Sequence, residues 1–226
     1  MNNVYVDKDI NVYFSNIYQY IATNLALSGA IAYFIAKTDV ISYMLSNTLA
    51  YWLILFSPLL ISIYLQSNLR NLSLNTAQIL YWLYGASIGA SMSTIFLRYT
   101  TESIFTCFFI TSSIFLVASI YGRTTSRNLS SLSSTLSIAL LALIAASVIN
   151  IFINSSLTQH MISYAAILIF STYIAVENQQ ILSLYYTRES DAMIEKISII
   201  AALNLYISFI NIFISLLHLL GDDRRK

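Results

Sequence analysis

HMISYAAILIFSTYIAVENQQIL, residues 160–182, reads as an apolar helix with one formal charge, Glu177, set inside it. A helix of about twenty apolar residues rises about 30 Å, enough to cross the hydrocarbon of a bilayer. An ionisable side chain at that depth costs at least about 2.5 kcal/mol, so Glu177 is the residue at which function is sought. Six further apolar stretches lie around it: Ile17–Ala36, Thr48–Gln66, Ala77–Leu97, Ser103–Tyr121, Ser131–Ile153 and Ile197–Leu220. None of these six contains Asp, Glu, Lys or Arg.

Lipid offers no partner for a bare amide, and the alternation of a transmembrane barrel is missing, so each stretch is expected to be a helix. The fold expected is an all-α membrane protein, a bundle of seven transmembrane helices over residues 17–220. Short tails, 1–16 and 221–226, flank it. Composition points the same way. Hydrophobic residues make up 58% of the chain and charged residues 9%, with a mean hydropathy of +0.71, whereas an ordinary soluble domain carries about 25% charge. Tyr and Trp gather near the expected span ends (Tyr20, Trp52, Trp82, Tyr121), as amphipathic rings do at the headgroup level.

The same numbers exclude several classes of function. A net charge of +1 offers no basic stripe for nucleic acid. Cys107 is the lone cysteine, which rules out an internal disulfide and a cysteine metal cluster. His160 and His218 lack metal-ligand spacing, and no glycine-rich phosphate loop is present, so no cofactor is expected. Gly85-Ala86-Ser87-Ile88-Gly89 matches a nucleophile-elbow pattern, but that motif needs a strand-to-helix turn. Paired with His218, Ser87 is the one arrangement an intramembrane protease would find here. Gly85, Gly89 and Ser93 read more simply as a small-residue ridge for close helix packing. The chain is expected not to be an enzyme.

Polar residues in the last stretch fall at Asn204, Ser208, Asn211, Ser215 and His218, spacings of three and four that make one stripe on a helix. Tyr173, Glu177 and Gln180 share a face by the same rule. These two stripes are expected to face each other around a wet crevice, with Glu177, Asn204, Ser208 and Asn211 as the ion-pathway or pH-gate residues. Burial disfavours a charged carboxylate. When ionised, Glu177 attracts a hard cation that takes oxygen ligands, so a transient calcium contact is expected there and no stored metal.

Orientation follows from Lys and Arg in the loops. Arg70, Arg123, Arg127, Arg188 and Lys196 lie on the side of the N-terminus, Lys37 and Arg98 on the other, which places the N-terminus in the cytoplasm. The tail cations Arg224, Arg225 and Lys226 count against that assignment.

Three segments resemble the Bax inhibitor-1 family, most closely its bacterial branch. They are STIFLRYT at 93–100, YGRTTSRNLS at 121–130 and LYISFINIF at 205–213. The resemblance implies a bacterial inner-membrane protein in which an acid in each of the last two spans governs a pH-sensitive calcium leak. The sixth-span acid of the family falls on Glu177, and the seventh-span aspartate falls on Ser208, which does not ionise. An alternative implied by bacterial relatives is a non-catalytic modulator of a membrane protease or of membrane-protein quality control. The partners expected are therefore the lipid bilayer, calcium or another cation in passage, and a membrane protease.

Overall fold

A computed structural model describes residues 2–185 and 191–224. Arg188, Arg225 and Lys226, which entered the charge count, lie outside the described residues. The described residues are helical nearly throughout: α1 Asn2–Lys37, α2 Val40–Ser46, α3 Thr48–Asn68, α4 Leu74–Met92, α5 Ile95–Arg98, α6 Thr101–Thr124, α7 Ser133–Ile153, α8 Ser156–Tyr185 and α9 Asp191–Leu220. A single turn of 3-10 helix, Ser130–Leu132, leads into α7. Among them, six helical stretches are long and apolar enough to cross a membrane: those of α3, α4 with α5, α6, α7, α8 and α9. The first helix is long enough, but Asn16, Gln19, Thr23 and Asn24 dilute its apolarity, and it is not among the six.

Helix ends follow local chemistry. Asn47, Ser73 and Thr100 cap α3, α4 and α6 by accepting the backbone N–H groups of Ala50, Thr76 and Ser103. Asn154 ends α7 in the left-handed region at φ 52°, its N–H donating to the Asn150 carbonyl at 2.7 Å. The expected third span is interrupted at Ser93-Thr94, where the chain turns before α5.

The chain divides into two compact units, Met1–Arg98 with Thr187–Asn204, and Tyr99–Tyr186 with Leu205–Arg224; α9 contributes to both. In the first unit, α1 lies parallel to α4. The Gln78 amide donates to the Tyr20 hydroxyl at 2.9 Å, and the Asn24 amide donates to the Tyr81 carbonyl at 3.2 Å. Further along, Tyr33 meets Phe96 edge-on at 5.8 Å. The glycine ridge explains how the helices come so close: a Cβ on Gly85 would overlap the Asn24 side chain, and one on Gly89 would sit 2.5 Å from the Ser28 carbonyl oxygen. The Gly85–Gly89 motif is thus consumed by packing, as its small-residue reading expects.

Pro58 lies inside α3 and has no N–H for the carbonyl four residues earlier, that of Ile54. The structure supplies two substitutes. Ser57 Oγ donates to that oxygen at 2.9 Å, and Ser91 Oγ, from α4, shares its one proton between that oxygen at 3.0 Å and the Ser87 carbonyl of its own helix at 2.9 Å. A proline that would leave an orphaned carbonyl in lipid instead ties α3 to α4.

In the second unit, α6 and α8 approach at Gly122, where an added Cβ would overlap the backbone of Ala175. Leu129, Leu136, Ala175 and Val176 form a buried cluster that joins the α6–α7 connection to α7 and α8. Phe209 of α9 packs against Phe108 and Phe115 of α6, with ring centroids 5.6 and 5.9 Å apart. The segment after α9 returns to the start of α6. Tyr99 and Asp223 form an antiparallel bridge, the Thr100 N–H donates to the Asp222 carbonyl at 3.1 Å, and the Arg224 guanidinium reaches the Thr101 hydroxyl at 2.8 Å.

Candidate functional site

Glu177 occupies the last third of α8 and is half-buried. Stepping along the helix at three and four residues, its strip contains Ser163, Ala166, Phe170, Ile174 and Ile181, all of them buried. Exposed positions such as Met161, Tyr164 and Leu168 fall on other strips. Glu177 therefore belongs to the protein-facing side of α8, where an intramembrane carboxylate is expected.

Its three successors each have a structural task. Asn178 is fully buried, its amide donating to the Ile174 carbonyl at 2.8 Å and to the Ser119 hydroxyl of α6 at 3.2 Å. Gln179 clasps the α6–α7 connection: its Oε1 accepts the Leu129 N–H at 2.7 Å and its Nε2 donates to the Arg127 carbonyl at 2.8 Å. The Gln180 amide donates to the Ser133 hydroxyl of α7 at 3.1 Å. This run of amides holds α8 to α6 and α7 by interhelical hydrogen bonds, and the sequence signal for it was four consecutive polar residues, 177–180, inside an apolar span. Reading the sequence for charge alone passes over three of the four.

One expected facing is corrected. Tyr173 and Gln180 were expected to look toward the last helix, but both reach α7: Tyr173 Oη stands 3.4 Å from Ser137 Oγ, a long contact, and Gln180 meets Ser133. Spacing along one helix gives a shared face but not the neighbour which that face meets.

On α9, Ser208 and Ser215 are buried, while Asn204, Asn211 and His218 are half-buried. The Asn211 amide nitrogen donates to the Ile207 carbonyl at 2.8 Å, which leaves its Oδ1 as the acceptor, and Ser215 Oγ donates to the Asn211 carbonyl at 2.7 Å. His218 Nδ1 lies 3.2 Å from Gln159 Nε2, and the Gln159 Oε1 accepts the Asn150 amide at 3.1 Å. That chain of contacts joins the end of α9 to the beginning of α8.

Ser87 lies within α4, its hydroxyl donating to the Tyr84 carbonyl at 2.8 Å, and no strand precedes it to form a nucleophile elbow. Among the described residues, no group of three or more His, Cys, Asp or Glu side chains is placed to hold a metal ion.

Comparison with known proteins finds a match over residues 10–225 to the family model described as "Inhibitor of apoptosis-promoting Bax1". An uncharacterized protein of Rickettsia prowazekii is 38% identical over 96% of this chain and 92% of its own length. An uncharacterized protein of Caulobacter vibrioides is 33% identical over 97% of this chain and 92% of its own. The inner membrane protein YbhL of Escherichia coli K12 is 29% identical over 95% of this chain and 93% of its own.

Proposed function

The chain belongs to the Bax inhibitor-1 family of integral membrane proteins, and on that premise we propose that it is a seven-span protein of the bacterial inner membrane that lets calcium or another cation leak passively, with Glu177 as its titratable contact. The observation that carries this reading is the place of Glu177 on the buried strip of α8. A carboxylate turned toward protein rather than lipid, and able to gain or lose its proton, is the chemical element a pH-dependent cation path requires.

Supporting features surround it. Asn204, Ser208 and Asn211 offer neutral amide and hydroxyl oxygens along α9, ligands suited to a hard cation. With serine where the family carries its second acid, one carboxylate makes a weak site, which favours passage over storage. In this reading Glu177 is the charged contact of the path and the α9 oxygens are its neutral ones. No catalytic step enters the reading.

The reading takes α1 as the seventh span, and what supports it is that α1 runs beside α4 from Tyr20 at Gln78 to Tyr33 at Phe96. The inner membrane follows the E. coli relative, whose name places it there. For orientation, the loop carrying Arg123 and Arg127 is assigned to the cytoplasm. A cysteine at Ser126 in a Cys107→Ser background is expected to resist impermeant thiol reagents in intact cells, and labelling from outside would reverse the assignment.

Flux in proteoliposomes tests the function. The wild type is expected to pass calcium with a pH-dependent rate, and Glu177→Gln, which keeps the shape and removes the proton exchange, is expected to flatten that dependence while the protein stays folded. Identical flux–pH curves would remove Glu177 from the mechanism. Absence of any leak, together with stable co-purification of a membrane protease, would replace the channel with the modulator.

A further inference from the structure

In the first unit a cavity of about 580 Å³ opens between the N-terminal half of α1, the α4 residue Trp82 and the beginning of α9. Its walls include the rings of Tyr13, Tyr20 and Trp82, the amides of Asn16 and Gln19, and the carboxylate of Glu195. Among the described residues the lining holds neither Lys nor Arg, and Glu195 is its one formal charge. The rings are held in place. Tyr20 and Trp82 lie 6.1 Å apart at 41°, the Tyr20 hydroxyl accepts from Gln78, and Tyr81 packs edge-on against Tyr20 at 5.6 Å. Tyr13 is buried and hydrogen-bonds Ser198 of α9.

From this arrangement we propose that the cavity binds an organic ammonium cation. Aromatic faces attract such a cation through their quadrupoles, Trp most strongly, when it lies within about 6 Å of the ring centroid. A carboxylate on the wall adds the counter-charge, and the amide oxygens of Asn16 and Gln19 accept from N–H groups where the amine carries them. The volume falls in the range of small-molecule sites, about 300–1,000 Å³, and is far larger than a bare metal ion needs. The six residues come from three helices, two of them far apart in sequence. This site is independent of the Glu177 path and survives if that path does not.

The full-length protein in detergent, with Trp52→Phe so that Trp82 is its one tryptophan, provides the readout under excitation that tyrosine does not absorb. Titration with tetramethylammonium chloride is expected to change Trp82 emission saturably, whereas sodium chloride at equal ionic strength does not. Glu195 is exposed, so Glu195→Gln is expected to keep its thermal unfolding midpoint while the apparent affinity falls about tenfold. Repeating the titration in nanodiscs separates the two sources of an amine. Weaker apparent binding in phosphatidylethanolamine than in an uncharged, amine-free glucosyl diacylglycerol assigns the site to a lipid headgroup, and equal binding assigns it to a soluble amine. A linear response of the wild type, or an unchanged affinity in Glu195→Gln, overturns the proposal.

Discussion

α7 and α9 are both apolar enough to cross a membrane, yet they are used in opposite ways. The α7 stretch, Ser130–Ile153, is the more apolar, and only 11% of its spanning window is buried; in Met193–Leu220, the less apolar stretch of α9, 67% is buried. In water the more apolar helix would be the one buried. In lipid, apolar surface gains nothing by meeting other apolar surface, so α9, with Ser198, Ser208 and Ser215 buried along its length, is drawn into protein contacts, and α7, whose polar residues gather toward its two ends, keeps most of its surface outside them. Apolarity here reports the membrane, and polarity within an apolar span reports the interior.

The largest expected effect tests that contrast directly. Leu205, fully buried on α9, and Leu141, 67% exposed on α7, are the same residue type in two settings. Leu205→Ala is expected to cost about 2–5 kcal/mol through lost packing and the cavity left behind. Leu141→Ala is expected to cost less than about 0.5 kcal/mol, as at an ordinary surface position. Unfolding in mixed detergent measures both, and equal losses would break the comparison.

A second substitution asks how much of the burial is backbone approach. Gly122 lets α6 come down on the backbone of Ala175, and alanine there improves helix propensity by about 1 kcal/mol. The overlap is expected to outweigh that gain, for a net loss of about 1–3 kcal/mol in the same assay. A stabilised Gly122→Ala would show that the two helices have room to separate.

A third substitution concerns an exposed helix whose polar need is met from outside. Ser91→Ala removes one of two donors from the Ile54 carbonyl opposite Pro58, with Ser57 still bonded, so a loss of about 0.5–1.5 kcal/mol is expected. A loss near zero in Ser91→Ala, reversed to a large one when Ser57→Ala is added, would show that either serine alone suffices.

Sequence periodicity located the apolar helices well because twenty uncharged residues leave the chain little else to form in lipid. It did less well wherever geometry is set by a neighbour. The break at Ser93-Thr94 lies within an unbroken apolar run, and α1 begins far before Ile17 although its opening residues are polar. At the candidate site, Glu177 stood out by its charge. The work of Asn178, Gln179 and Gln180 depends on where α6 and α7 pass, which the spacing of residues on α8 does not encode. The same holds for the cavity at Glu195, assembled from helices whose proximity is a tertiary fact.

The bridge between Tyr99 and Asp223 carries a consequence for how the second unit comes into being. The two backbone segments it joins are separated in the chain by an even number of helices long and apolar enough to cross a membrane: α6, α7, α8 and α9. During synthesis, the Thr100 amide emerges long before the Asp222 carbonyl that receives it. All four of those helices are made in the interval. The stitch is therefore a closing event in assembly, a fastening that sets only once the last crossing is complete, and a truncation before Gly221 would leave the unit inserted but unlaced.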